Sequence, residues 1–130
     1  MSDRARIGVV GLGLMGSAMA ARLLELGFDV LVWNRSREKS ESLLALGAHW
    51  SDNPFRDCDR VIVSLYTTSV VNEVVEALSD GLHAGLLVID TTTGEPDQTA
   101  TLGARLARRN VRYLDAPISG SSDGFDRSTD

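Results

Sequence analysis

The stretch Gly11-Leu12-Gly13-Leu14-Met15-Gly16 limits what this chain can fold into more than any other. An apolar run, Ile7 to Val10, leads into it, and a helix-forming run of small residues, Ser17 to Leu26, leads out. A strand, a tight turn and a helix around G-x-G-x-x-G form the fingerprint of a dinucleotide-binding βαβ unit. Each glycine has its own task. Gly11 allows the sharp turn, Gly13 leaves the backbone open to a pyrophosphate, and Gly16 lets the helix press against the strand. The helix start offers unpaired N–H groups and a partial positive charge to phosphate.

Apolar runs then alternate with helical patterns, which predicts repeated strand–helix units and a mostly parallel sheet. Strands are expected at Arg6 to Val10, Asp29 to Trp33, Ala48 to Trp50, Val61 to Leu65, Leu86 to Ile89 and Val111 to Leu114. The first helix, about Leu14 to Leu26, carries Met15, Met19, Leu23 and Leu26 on one face, and Gly27 ends it. Ser36 can cap the second, whose apolar side is Leu43, Leu44 and Leu46, with Gly47 as its stop. Pro54 suits the first residue of a brief helical turn. Ser69 can cap a helix burying Val70, Val71, Val74, Val75 and Leu78. A last helix starts near Pro96 and buries Leu102 and Leu106. Six such strands fit an α/β, doubly wound domain with helices on both faces of the sheet.

The 130 residues suit one domain with a real core, and 43% hydrophobic with 24% charged residues is ordinary globular composition. A net charge of −5 and no basic tract argue against a nucleic-acid surface. No apolar stretch approaches the ~20 residues that span a bilayer, and no membrane role is expected. The single cysteine, Cys58, cannot form an internal disulfide, and Met1 to Arg6 lacks a signal-like apolar region. Together these favour the cytoplasm. Cys58 reads as an inert small residue, and no metal site is expected.

The residue ending the second strand judges the ribose. An acid there binds the 2′-hydroxyl of NAD and repels a 2′-phosphate. Here the place holds Asn34, followed by Arg35, Ser36 and Arg37. Asn34 is uncharged, and Arg35 offers a planar cation that forks onto phosphate or stacks on adenine. Lys39 adds a cation one turn on. The pattern favours NADP(H) over NAD(H). Arg35 and Arg37 also suit a merely solvated start of the second helix, Arg37 more than Arg35.

Gly11 to Ala20, with Val32-Trp33-Asn34-Arg35-Ser36, resembles the N-terminal NADP-binding domain of the β-hydroxyacid dehydrogenases, the family of 3-hydroxyisobutyrate dehydrogenase. Asp90-Thr91-Thr92-Thr93 is similar to the family's D-x-S-T, and Leu114-Asp115-Ala116-Pro117-Ile118-Ser119-Gly120 to its L-D-A-P-V-S-G. The resemblance implies a Rossmann-type domain over residues 1–120. It leaves 121–130 as a polar tail or the start of a missing helical substrate domain. It implies that Gly11, Leu12, Gly13, Leu14, Met15 and Gly16 hold the pyrophosphate, and Asn34, Arg35 and Ser36 the 2′-phosphate. Leu65 and Tyr66 would cover the cofactor, Thr93 would lie near the nicotinamide ribose, and Ser119 and Gly120 would bind the carboxylate of a small substrate. Two departures stand out. Tyr66 replaces a frequent proline, and Val70 stands near a frequent asparagine. Thr91 to Thr93 equally suit a polar strand-to-helix turn.

Hydride transfer to a carbonyl needs a proton donor near the developing alkoxide. In the family this is a lysine of a later motif, which these residues do not reach. The only lysine, Lys39, belongs to the adenosine end. No catalytic residue is therefore expected in this chain, and it should turn over poorly alone. His49 and His83 read as structural or solvated, and Asp90 and Asp115 as loop-fixing. The expected function is the NADP(H)-binding domain of an oxidoreductase acting on a small β-hydroxyacid or semialdehyde, with homo-oligomeric relatives. A non-catalytic NADP(H)-binding or sensing module, and an imine reductase N-terminal domain, are the alternatives.

Overall fold

The computed structural model describes residues 5–118. Their order is β1 (Arg6–Val10), α1 (Leu14–Glu25), β2 (Asp29–Trp33), α2 (Glu41–Ala45), β3 (His49–Trp50), α3 (Pro54–Asp57), β4 (Arg60–Val63), α4 (Thr68–Ala77), β5 (Leu87–Asp90), α5 (Pro96–Ala107) and β6 (Arg112–Asp115). The six strands form one sheet in the order β3-β2-β1-β4-β5-β6, and every pairing is parallel. The chain winds outward from β1 through β2 to β3, then returns to lay β4 on the other side of β1. That reversal opens a crevice at the carboxyl ends of β1 and β4, where such sheets bind ligands.

The strands read as apolar runs because both faces of the sheet are covered. On one face Val9, Leu12, Ala20, Val30, Val32, Leu43 and Ala48 form a core. On the other, Val10, Phe55, Val61, Val63, Val71, Val74, Val88, Leu102 and Leu106 form a larger one. Register then aligns the strand ends. Trp33, Val10, Val63, Asp90 and Asp115 stand in one row across the sheet. Residues just past that row share one edge.

Several local expectations change. β4 ends at Val63, so Leu65 lies in the loop after it, and Val70 is only half-buried on α4. In α1, Gly16, Met19 and Ala20 face the core, but Leu26 is the C-cap and is exposed, because the helix ends at Glu25 before the apolar stripe completes its turn. Ser36 precedes a 3-10 turn, Arg37–Ser40, and its hydroxyl makes no cap bond; Leu43 is buried while Leu46 is exposed. The α4 cap is Thr67, whose hydroxyl accepts the Val70 N–H at 3.2 Å, so Ser69 lies inside the first turn. Gly27 and Gly47 end their helices at φ +91° and +112°, as expected.

Candidate functional site

The turn after β1 is built by close approach. Gly11 sits at φ +99°, which side chains rarely adopt, and a Cβ there would collide with the Ser64 carbonyl oxygen. Its N–H donates to the Trp33 carbonyl at 2.9 Å. A Cβ on Gly16 would collide with the Gly11 carbonyl oxygen, so the first turn of α1 lies directly on the loop. Gly13 is different: it is exposed, and the nearest atom to a Cβ there is the Tyr66 hydroxyl at 3.9 Å. Gly13 also serves as the N-cap of α1, with no side-chain cap bond and no acid in the first turn. The loop is therefore tight where it must fold and open where a ligand must come. The positive end of α1 faces that opening. These features fit a pyrophosphate.

The end of β2 is tied to this loop. The Asn34 side-chain oxygen accepts the Leu12 N–H at 2.9 Å, and its amide nitrogen donates to the Ser36 carbonyl at 3.0 Å. Asn34 thus holds the loop and its own turn together, a positioning role that its neutral chemistry alone did not announce. Ser36 is exposed. Arg35 reaches α4, where its Nη2 lies 3.4 Å from Glu73 Oε2. Arg37 turns away and stacks over the Trp50 ring, 4.8 Å from its centroid. It is thus a cation–π partner as well as a solvated side chain. Lys39 is exposed in the 3-10 turn. No sequence signal marks Glu73, an ordinary acid on a helix surface.

The end of β5 is tied to β6 through Asp90 and to β4 through Thr91 and Thr92. Asp90 is fully buried, and its two carboxylate oxygens accept the Thr92 N–H at 2.9 Å and the Tyr113 hydroxyl at 2.6 Å. Burial first, then the Asp90 carboxylate, pushes the Tyr113 hydroxyl far above its ordinary pKa, so it stays a donor. The Thr91 hydroxyl donates to the Val63 carbonyl at 2.8 Å, and the Thr92 hydroxyl accepts the Leu65 N–H at 3.0 Å. Thr91 and Thr92 are buried, whereas Thr93 is exposed at the rim. The D-T-T-T spacing, an acid two residues before a free N–H, was the available sign of this turn. Tyr66 is 87% exposed beside the glycine loop. After β6, Ala116 N–H donates to the Asp90 carbonyl and Ile118 N–H to the Thr91 carbonyl. That segment therefore leads toward the same edge. Ser119 and Gly120 lie outside the described residues.

Other reactive side chains are elsewhere. Cys58 is buried, and burial pushes its thiol up to about 12. His83 sits at the amino end of β4, bridging the Gly81 carbonyl and Asp59 at 3.1 Å each. No group of three or more potential metal ligands forms among the described residues. No helix among them is long and apolar enough to cross a membrane.

The family model for the NAD binding domain of 6-phosphogluconate dehydrogenase matches residues 6–129. The chain is 33% identical over 130 residues to the cytokine-like nuclear factor N-PAC of Xenopus tropicalis, covering 92% of this chain and 24% of that protein. It is 34% identical over 129 residues to the uncharacterized oxidoreductase YkwC of Bacillus subtilis (strain 168), covering 95% and 45%. It is 30% identical over 126 residues to the probable mitochondrial 3-hydroxyisobutyrate dehydrogenase-like 1 of Arabidopsis thaliana, covering 92% and 38%. The chain thus spans less than half the length of these relatives. Among solved structures, an imine reductase from Pseudomonas sp. superposes with a TM-score of 0.86 at 29% identity, over 93% of this chain and 43% of that one. Psf3 in complex with NADP+ and 2-OPP gives 0.85 at 33% identity, over 91% and 44%. The glycine cradle, the six-stranded parallel sheet and these likenesses agree: the chain belongs to the family of the NAD-binding domain of 6-phosphogluconate dehydrogenase, and its relatives are 3-hydroxyisobutyrate dehydrogenase-like.

Proposed function

We propose that this chain is the NADP(H)-binding part of an oxidoreductase that moves hydride between nicotinamide and a small β-hydroxyacid or its semialdehyde. The observation that carries the reading is Arg35: a guanidinium follows β2, beside the glycine cradle, with the neutral Asn34 at the strand end where an NAD-selective domain places an acid. The dinucleotide, when bound, supplies the hydride. The chain's own residues bind and orient it. Gly11, Leu12, Gly13, Leu14, Met15 and Gly16 form the loop that holds the pyrophosphate; the N–H groups of Gly11 and Leu12 are spent on Trp33 and Asn34, and those at the start of α1 face the phosphates. Asn34 holds that loop to β2, Arg35 forks onto the 2′-phosphate, and Ser36 lines the same corner. Leu65 and Tyr66 flank the cofactor from the β4 side, and Thr93 lies at the rim of the β5 end. Ser119 and Gly120 take the substrate carboxylate. The relative Psf3 is described with NADP+, which supports the phosphate assignment.

The only lysine, Lys39, stands in the 3-10 turn beyond β2, far from the β5 end. These 130 residues therefore supply cofactor binding, and Lys39 is not placed to protonate an alkoxide at the β5 end. A single, buried cysteine suits a reducing compartment, and we place the protein in the cytoplasm.

Calorimetric titration with NADPH and NADH tests the reading. NADPH should bind several-fold tighter; equal affinity, or a preference for NADH, removes its basis. A second reading, an imine reductase, is favoured by the superposition on the Pseudomonas imine reductase. Comparing reduction of a semialdehyde and of a cyclic imine by the full-length parent separates the two.

A further inference from the structure

Glu73 occupies the second turn of α4, which follows β4, and Arg35 follows β2. Those two strands flank β1. The Arg35–Glu73 contact, 3.4 Å between Nη2 and Oε2, therefore spans the crevice above the glycine loop. The two side chains are 67% and 64% exposed, so this is a loose surface ion pair and not a brace of the fold. We propose that Glu73 is a specificity-determining residue that holds down the affinity for NADPH relative to NADH. Its carboxylate occupies the guanidinium that a ribose 2′-phosphate would take. The inference rests on the assignment of Arg35 to that phosphate.

The physical argument is competition for one cation. Arg35 has a planar fork that matches either a carboxylate or a phosphate, and it cannot serve both fully. An incoming 2′-phosphate must displace Glu73 and then sit near its negative charge. NADH brings only a hydroxyl to that corner, so it neither needs the guanidinium nor meets the same repulsion. The pyrophosphate is common to both nucleotides and cancels in the ratio. Because exposed pairs are weak and screened, the expected effect is about two- to fivefold, and it should shrink at high salt. Glu38 and Lys39, in the turn after β2, also lie on this corner, one of each sign. Among the described residues neither forms an ion pair with Arg35 or Glu73.

The test is calorimetric titration of the whole chain with NADPH and with NADH, at low and high salt, for the wild type, Glu73→Gln and Arg35→Gln. The inference expects Glu73→Gln to bind NADPH about two- to fivefold tighter with NADH unmoved, and the gain to fade with salt. Arg35→Gln should weaken NADPH and spare NADH. If Arg35→Gln behaves so but Glu73→Gln leaves NADPH unchanged, weakens it, or tightens both nucleotides equally, the role of Glu73 is wrong while the Arg35 assignment stands. If Arg35→Gln weakens neither nucleotide, or both equally, the assignment falls and the inference with it.

Discussion

The side-chain oxygen of Asn34 accepts the backbone N–H of Leu12 at 2.9 Å, so the end of β2 and the glycine loop after β1 are one mechanical unit. An asparagine does this with no net charge. Replacing it with alanine removes an acceptor from a partly buried N–H, which is worth about 1 kcal/mol or about fivefold in affinity. Asn34→Ala should therefore weaken NADPH and NADH alike. Asn34→Asp keeps the acceptor but adds an anion beside Arg35, so it should lower NADPH affinity more than NADH affinity. A change in selectivity for the alanine variant, or none for the aspartate variant, would contradict this account.

The contact of Gly16 with the Gly11 carbonyl leaves no space for a methyl group. Gly16→Ala should push α1 off the loop and cost about 1–3 kcal/mol, read as a lower denaturant midpoint, together with loss of nucleotide binding. Gly13→Ala provides the contrast, because its Cβ would meet only the Tyr66 hydroxyl at 3.9 Å. That variant should fold normally and lose affinity for the pyrophosphate.

Tyr113 gives its hydroxyl proton to a fully buried carboxylate at Asp90. Tyr113→Phe leaves that oxygen without its donor and should cost about 1–3 kcal/mol in chemical denaturation. The loss should be accompanied by loosening of the turn at Thr91 and Thr92, seen as faster amide exchange of the Leu65 N–H, which depends on the Thr92 hydroxyl. Unchanged stability would mean the hydrogen bond carries nothing.

His83 makes stability depend on pH at the opposite end of the sheet. The Gly81 carbonyl, and next the Asp59 carboxylate, raise its pKa above the ordinary imidazole value. A raised folded-state value means the charged form stabilises the fold. The contribution is complete below about pH 6.5 and disappears as pH climbs through the folded-state value. Asp57 does not interfere: Arg56, then the Ser51 hydroxyl, lower its pKa, so its contribution is lost only in acid. The difference in thermal midpoint between wild type and His83→Gln should be widest near about pH 6 and narrow toward about pH 8. A gap that is constant over this range would rule the bridge out.

Much of the architecture was legible because periodicity reports burial directly. The apolar runs at Ile7 to Val10 and Val61 to Leu65 read as strands; both strands form, the second ending at Val63, and Val9, Val10, Val61 and Val63 lie in the cores. The glycine spacing placed the crevice, although only Gly16 answers to an atom of the same segment, the Gly11 carbonyl; Gly11 and Gly13 answer to Ser64 and Tyr66 after β4. Capping was less legible: Thr67, Thr68 and Ser69 all carry a suitable hydroxyl, and the backbone geometry selects Thr67. Partners distant in sequence were invisible. Arg35 with Glu73, Arg37 with Trp50 and Tyr113 with Asp90 each join elements that only the sheet order brings together. A helix-surface acid such as Glu73 looks the same in sequence whether it faces water or a guanidinium.

β1 acquires its two neighbours at different moments in the life of the chain. Residues 29–33 complete one side, while the other waits for Val61 to Val63. As the polypeptide leaves the ribosome, β1 keeps a bare edge while β2, α2, β3 and α3 emerge, with its backbone groups there still unmatched. The Ser64 carbonyl that closes on Gly11 belongs to the late arrival. The nucleotide cleft is therefore complete only once β4 lies on β1, and no amino-terminal portion that stops before β4 possesses it.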